Sequence, residues 1–506
     1  METTVIVVGA GPTGLLLGCE LGLAGVPAVL VDQSPQRPEL SRAGGVTPRT
    51  AEVLDLRGLL EPLRAEVGIS GPDEGHFAGL PVTPDSLDSR YPWLLLPQLG
   101  MEHFFERRLA ELGVPLLRGH RLTGLEQDAE GVTAYLDGQT RRLRGQYLVG
   151  ADGGHSTTRK LAGIEFPGTA STAWSVVSDV LLADPIPATV PTTIGPFWSH
   201  TRQDGDNWTV LLPFDGVYRL IFGGPQQQAL PRETPVTEAE ATAALAATYR
   251  PGVEVAKVLH GSRFGNAYRL AERYRSGRIF LAGDAAHVHP PMGGQGLNLG
   301  VQDAMNLGWK LAVASAGYTS DELLDSYHAE RHPVGASVVR NTKAQSALAR
   351  AARDEEIAAL RESVSELLAQ PGAAGMLAGL VSGVDIRYPM PDAPDHPLLG
   401  KRMPDLDLDG PDRVYQLFHD GKPVLLDGTG ELGAVAECWA DRVRWQHTGI
   451  DLPAPALLVR PDGYVCWAGA DPESLRAALT RWFGANARRS RPCARAASRP
   501  ASAVAD

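Results

Sequence analysis

The sequence predicts an α/β protein whose first domain is a Rossmann-like dinucleotide-binding unit, followed by a sheet-rich domain and a smaller C-terminal domain. Three observations predict it. A glycine cluster, Gly9 to Gly14, stands between a β-branched run and an apolar helical stretch. From about Thr172 to Gly265 apolar and polar residues alternate, as in WTVLLPF and VYRLIFGG, which is the period of a strand. A Pro-rich segment, RYPMPDAPDHPLLGKRMPD, then reads as a linker to a further strand and helix set. At 506 residues the chain exceeds one ordinary core, so two or three domains are expected.

The first unit is the most explicit. Thr4 to Val8 form a short apolar run, as a buried parallel strand would. Gly9-Ala10-Gly11-Pro12-Thr13-Gly14 follows, then the helical LLLGCELGLAG and a second strand, AVLVD, ending at Asp32. Gly9 permits the tight turn, Gly11 lets a pyrophosphate approach the backbone, and Gly14 lets helix and strand pack closely. The helix N-terminus offers unpaired N–H groups and partial positive charge to phosphates. Asp32 stands where an acid meets a ribose hydroxyl. This unit alone says dinucleotide, without choosing between NAD and FAD.

Two further segments choose. Tyr147 to Gly163, YLVGADGGHSTTRKLAG, is a strand followed by Asp152-Gly153, Ser156 and Arg159. Arg278 to Ala312 is a strand ending at Gly283-Asp284, then a Pro/Gly loop leading into a helix near Leu297-Asn298. Asp284 at a strand's end can accept a hydrogen bond from a ribityl hydroxyl. Gly293, Gly294 and Gly296 let backbone N–H groups approach a flat ring. The helix behind them aims its positive end at that ring and would stabilise negative charge at N1/O2 of a reduced flavin.

Together GAGPTG, GADGGHSTTR and LAGDAAHVHPPMGGQGLN resemble the class A FAD-dependent monooxygenases, the aromatic hydroxylase family. The resemblance continues through Ser41 to Leu60, the LPQ holding Gln98, and Leu323 to Val339, covering about the first 390 residues. Within the family it is most similar to the actinobacterial branch acting on polyketides and rifamycins. It implies a discontinuous FAD-binding domain (1–75, 98–171 and 273–390) and an antiparallel-sheet substrate domain (76–97 and 172–272). It further implies a thioredoxin-like domain lacking CxxC (398–484). Residues 485–506, basic with Ala, Ser and Pro and without apolar periodicity, read as a disordered tail.

For the cofactor, the resemblance implies Thr13, Asp32 and Gln33 at the adenosine half and Arg42 and Gln98 along the ribityl-phosphate. Leu122, Thr157, Asp284, Leu297 and Asn298 are further implied contacts. The complete FAD set expected is Gly9, Gly11, Pro12, Thr13, Gly14, Asp32, Gln33, Arg42, Gln98, Leu122, Asp152, Gly153, Thr157, Gly283, Asp284, Gly296, Leu297 and Asn298. Asp32 departs from the Glu of many relatives. No second GxGxxG follows, so the resemblance implies transient NADPH binding on the flavin domain, with NADH possible. It also implies oxygen transfer through a flavin C4a-hydroperoxide, in a pocket shaped by Pro290, Pro291, Gly293, Gly294, Gln295 and Gly296. The sequence names no substrate-activating base.

The expected function is hydroxylation of an aromatic polyketide, with O2 and a small aromatic molecule as partners. Alternatives are modification of a rifamycin-type antibiotic, Baeyer–Villiger insertion, and a flavin-binding protein without oxygenase activity. No WxWxIP is present, which disfavours a halogenase.

Other features exclude other classes. The net charge of −12 argues against a nucleic-acid binder. No apolar run has the length of a membrane span, and the glycine-punctuated start reads as folded rather than as a signal peptide, so a cytoplasmic monomer or homodimer is expected. The four cysteines are scattered without CxxC, suggesting neither disulfide framework nor zinc site. No metal is expected: His287 and His289 lack a third ligand, and His328-Ala-Glu-Arg-His332 is not HExxH, so that pair reads as packed. Ser156 is not in a GxSxG elbow. Trp198 and Trp208 read as sheet core rather than as a substrate lining.

Overall fold

The computed structural model describes residues 2–37, 43–67, 75–82, 87–195, 197–214, 216–249, 252–318, 321–349, 354–390, 396–409 and 412–485. Arg42, part of the linker and residues 486–506 lie outside the described residues, as does the side chain of Trp198.

Val5–Val8 is the inner strand of a six-stranded sheet, parallel to Ala28–Asp32 on one side and to Tyr147–Gly150 on the other. Beyond Tyr147–Gly150 lies Ile279–Leu281, again parallel, and Leu116–Arg118 flanks Ala28–Asp32. The four residues of Val5–Val8 are all buried, as expected of a parallel strand covered on both faces. The helix Pro12–Leu23 packs behind it and is buried from Gly14 through Leu21. Its glycines allow that depth: a Cβ on Gly18 would press on Leu30 and Leu109, and one on Gly308 of the facing helix Gln295–Ser315 on Glu20.

This strand order puts four consecutive C-terminal strand ends on one sheet edge. They carry Gly283-Asp284, Asp152-Gly153, Gly9 and Asp32, side by side. Segments more than 100 residues apart thus become neighbours where ligands bind in open α/β sheets.

The second domain is a five-stranded antiparallel sheet in the order Thr201–Asp204, Asn207–Phe214, Val217–Gly223, Trp174–Leu182, Val255–Gly265. One face packs Val176, Val180, Leu211, Leu220 and Phe222 against Leu245 of the helix Glu238–Tyr249. Register puts Asp179 and Arg219 on the opposite face, directly paired across Trp174–Leu182 and Val217–Gly223. Trp208, expected in the sheet core, is instead half-buried on the Arg219 face, because the pairing Trp208–Gly223 sets it opposite the face of Leu211 and Phe222; a Cβ on Gly223 would meet its indole at 2.8 Å.

Three helices, Asp321–Leu348, Glu355–Leu368 and Pro371–Ser382, follow the helix Gln295–Ser315. The C-terminal sheet has the order Arg444–His447, Val424–Asp427, Ala456–Val459, Val465–Ala468. Its first pair is parallel and the rest antiparallel, closed by the helix Pro472–Phe483. Among the described residues no single helix is long and apolar enough to cross a membrane.

Candidate functional site

Gly9 has φ +107°, and a side chain there would overlap the carbonyl of Ala151 at the end of the neighbouring strand. A Cβ on Gly14 would overlap the Gly9 carbonyl. These two glycines hold strand and helix together. Gly11 differs: it has an ordinary extended backbone, and a Cβ there would meet nothing within 4 Å. It caps the helix Pro12–Leu23, whose terminus no side chain caps. Gly11 therefore borders open space in front of a helix N-terminus, which is what a pyrophosphate needs.

A second such terminus lies across the edge. Gly293 and Gly294 have φ +69° and +64°, a left-handed pair that turns the loop into the helix Gln295–Ser315. No side chain caps this helix either, and a Cβ on Gly294 would meet nothing within 4 Å. Two uncapped helix N-termini, 12 and 21 residues long, thus open on the same edge of the sheet. This donor set fits a long anionic ligand with a flat head, and FAD has both parts.

Asp32 accepts hydrogen bonds from the N–H groups of Ala10 (2.8 Å) and Ser34 (2.8 Å), which fixes its carboxylate beside the Gly9–Gly14 turn. Gln33 is exposed just beyond it. Asp284 is exposed in the one-turn helix Gly283–Ala285, at the strand end where the sequence put it.

Several expected cofactor side chains are instead engaged with the protein. The Asp152 carboxylate accepts from the N–H groups of Thr157 (2.8 Å) and Thr158 (2.9 Å) and from the Ser156 hydroxyl (2.5 Å). It caps the short helix Thr157–Leu161, because a carboxylate so close to a helix start is drawn to its unpaired amides. Asn298 accepts from Thr47 N (2.9 Å) and donates to the carbonyls of Gly45 (3.0 Å) and Gly294 (2.8 Å), stapling the 45–47 segment to the loop. Gln98 accepts from Ala43 N (3.1 Å) and donates to Glu102 (2.7 Å). Thr13 is wedged between Gly283 and Gly300, and the Leu122 side chain is in the core. What these residues can still offer a ligand is backbone. Arg159 carries a link the sequence did not reveal: it donates to Ala285 O (2.8 Å) and Gly154 O (3.1 Å), tying the second segment to the third.

Beneath the loop, Asp303 is fully buried and accepts from Gly283 N (3.1 Å), His287 Nε2 (2.7 Å) and Arg331 Nε (2.7 Å). Burial opposes its charge, but Arg331 and His287 outweigh it and hold the carboxyl below its usual range. His289 turns elsewhere, its Nδ1–H donating to Pro290 O at 2.9 Å. The two histidines of HVHPP therefore do not converge, and His328 and His332 pack around Tyr274.

Through Arg219 the antiparallel sheet approaches the segment that Asn298 ties to this loop. Arg219 makes a two-point bond to Asp179 (2.9 and 3.1 Å), and its remaining nitrogen reaches 3.6 Å from the Cβ position of Gly44. The sequence held a signal for it: a lone arginine in VYRLIFGG, on the face opposite Tyr218 and Leu220. Sequence reading passed over it because one charge in a strand more often faces solvent.

The FAD binding domain family matches residues 2–342, and the C-terminal domain of aromatic-ring hydroxylases matches residues 396–486. The chain belongs to the class A FAD-dependent monooxygenases. Among the curated members it is 43% identical to 12-dehydrotetracycline 5-monooxygenase/anhydrotetracycline 6-monooxygenase of Streptomyces rimosus subsp. rimosus, over 96% of this chain and 99% of the relative. It is 40% identical to a rifampicin monooxygenase of Streptomyces venezuelae, over 95% and 98%. The solved structure of OxyS anhydrotetracycline hydroxylase from Streptomyces rimosus superposes with a TM-score of 0.86 at 41% identity, covering 96% of this chain and 100% of that one. The family carries FAD, which the two open helix termini accommodate.

A pH dependence follows from two half-buried histidines of this monooxygenase. Burial pushes His289 and His76 down to about 4 from an ordinary 6.5. The unfolded chain then binds protons more readily than the folded one between those values. The stability of the neutral rings is complete above pH 6.5 and is lost as pH falls towards 4. At pH 5 the expected loss is about 2 kcal/mol per ring. Denaturant titrations at pH 7 and pH 5, on the parent and on His76→Asn, check it: the variant should lose less on acidification, and an equal loss would refute the assignment.

Proposed function

We propose that this chain is an FAD- and NADPH-dependent hydroxylase of an aromatic polyketide of the tetracycline or angucycline type. The observation that carries the reading is end-to-end likeness, across both matched domains, to relatives named for anhydrotetracycline. A rifamycin-type substrate is the second reading, favoured by the rifampicin monooxygenase at 40% identity.

Bound FAD supplies electron transfer to O2 and delivery of one oxygen atom. The chain's own residues do the rest. The amides after Gly11 hold the pyrophosphate, and Asp32 stands ready to exchange a backbone partner for a ribose hydroxyl. Asp284 serves the ribityl chain, while the Pro290–Gly296 loop presents backbone N–H groups to the ring. Residues 172–272 with 76–97 form the substrate side, where Arg219, held by Asp179, can donate to an oxygen of a phenolate or enolate. That donor would stabilise the deprotonated substrate, the form that attacks electrophilic oxygen. The C-terminal unit is read as thioredoxin-like. It holds no CxxC, Cys438 is disulfide-bonded and Cys466 is a buried thiol, so its part is support.

The test is the rate at which NADPH bleaches the flavin without oxygen, alone and with tetracyclic polyketides, a rifamycin and simple phenols. Acceleration of about tenfold or more by the tetracyclic class is the expected result. Acceleration by rifamycin alone would transfer the assignment to the second reading. Acceleration by none of them would refute the proposal at its reductive step.

A further inference from the structure

Gln345 lies on the helix Asp321–Leu348, outside every segment that the sequence singled out, yet it is fully buried and touches the flavin loop. A Cβ on Gly293 would stand 3.1 Å from its Nε2. The Gln345 amide donates to Asn341 Oδ1 (3.1 Å), and Asn341 donates to Gln295 Oε1 (3.3 Å) at the first residue of the loop helix. Gln295 in turn donates to Met292 O (3.3 Å), within the loop itself. On its other side Gln345 accepts from Ala78 N (3.0 Å).

Ala78 is the tip of the hairpin formed by Gly75–Phe77 and Leu80–Val82. Its φ is +53° and that of Gly79 +78°, the two positive values of a two-residue hairpin turn. Glycine or asparagine suits the first of these positions; alanine is strained there. Two side chains hold it in place, Gln345 at its N–H and Arg361 at its carbonyl (2.6 Å). The hairpin also faces the sheet domain, since the ring of His76 stacks on Phe197 at 4.7 Å. One buried ladder of amides therefore runs from the flavin loop to a strained turn that touches the sheet domain.

We propose that Gln345 is a positioning residue, which fixes the Gly293–Gly296 loop against the hairpin so that a substrate docked beside the hairpin alters the flavin's surroundings. Its substrate-dependent half rests on the hydroxylase reading above; its effect on the loop does not. Leucine at 345 fills the same space and cannot hydrogen-bond. Glutamate keeps the acceptor for Ala78 and, with the Asn341 amide turned over, accepts from Asn341 Nδ2 in place of donating to its Oδ1. The contribution of the ladder is felt through the loop that it fixes.

The experiment compares the parent holoenzyme with Gln345→Leu and Gln345→Glu. FAD affinity is measured by flavin fluorescence, and the flavin difference spectrum is recorded on adding anhydrotetracycline, whose own binding is followed by its fluorescence. For Gln345→Leu an FAD dissociation constant raised about tenfold is expected, with the substrate-induced difference spectrum lost while anhydrotetracycline binds within about threefold of the parent. Gln345→Glu should recover at least half of the spectral change. Unchanged FAD affinity in Gln345→Leu would overturn the positioning role, whatever the substrate proves to be. A retained difference spectrum, or its absence in the parent with anhydrotetracycline bound, would overturn the link to the hairpin. Failure of the parent to bind any polyketide would instead overturn the hydroxylase reading, and the FAD titration still decides the loop's part.

Discussion

Gly11→Ala should give a folded protein that does not hold FAD. The added methyl meets nothing within 4 Å in the protein, and the backbone at Gly11 is one that alanine adopts freely. The fold loses only a fraction of a kcal/mol at a helix cap. The methyl would stand where the pyrophosphate meets the backbone, so FAD affinity should fall on the order of a thousandfold, about 4 kcal/mol. Gly9→Ala gives the contrast. With φ +107° and the Ala151 carbonyl in the way, it should fail to fold at all. Purified yield, far-ultraviolet circular dichroism and absorbance near 450 nm separate the two. A Gly11→Ala protein with a full flavin complement would remove the pyrophosphate from this turn.

The second large effect is expected far from the flavin. Glu330, on the helix Asp321–Leu348, accepts from Lys310 (2.8 Å), Asn306 (2.7 Å) and twice from Arg460 (2.7 and 2.8 Å). Arg460 also binds Asp462, and all five side chains are buried. Arg460 and Asp462 belong to the C-terminal domain, so the cluster joins it to the helix that opens at the flavin loop. Burial opposes the Glu330 charge, but Arg460 and Lys310 outweigh it and hold the carboxyl at about 2. Lys310 itself is pushed down to about 8 by burial.

Glu330→Gln would leave two buried cations with one carboxylate, at an expected cost of about 3–5 kcal/mol in denaturant titration at pH 7. The sign of the acid limb is fixed by the lowered value. The carboxylate's contribution is complete above the ordinary range near 4.5 and is lost as pH falls towards 2. The difference between parent and variant should therefore narrow across that window. A neutral Glu330→Gln, or a difference that widens in acid, would contradict this account of the cluster.

The residues of this cluster also show what could not be read in advance. Lys310, Glu330 and Arg460 each look like ordinary surface charges in the sequence, because burial is not a local property. Arg460 meets Glu330 across 130 residues of chain. Gln345 is similar: its contacts with Ala78 and Gly293 depend on where the hairpin returns. Asp152 and Asn298 show a different limit. Their segments were recognised, but a helix start and a strand close by claimed their side chains, competition that a motif does not display.

The sequence by itself determined the parts whose chemistry is local. Gly9, Gly11 and Gly14 between two apolar runs, Asp32 at a strand end, and Gly293 and Gly294 before a helix each require only a few neighbouring residues to define their geometry. Tertiary structure alone decided that four strand ends share one edge, that Arg219 faces Gly44, and which charged side chains are buried. The physical reason is that backbone conformation is set by neighbours along the chain, whereas desolvation and pairing are set by whatever the fold brings alongside.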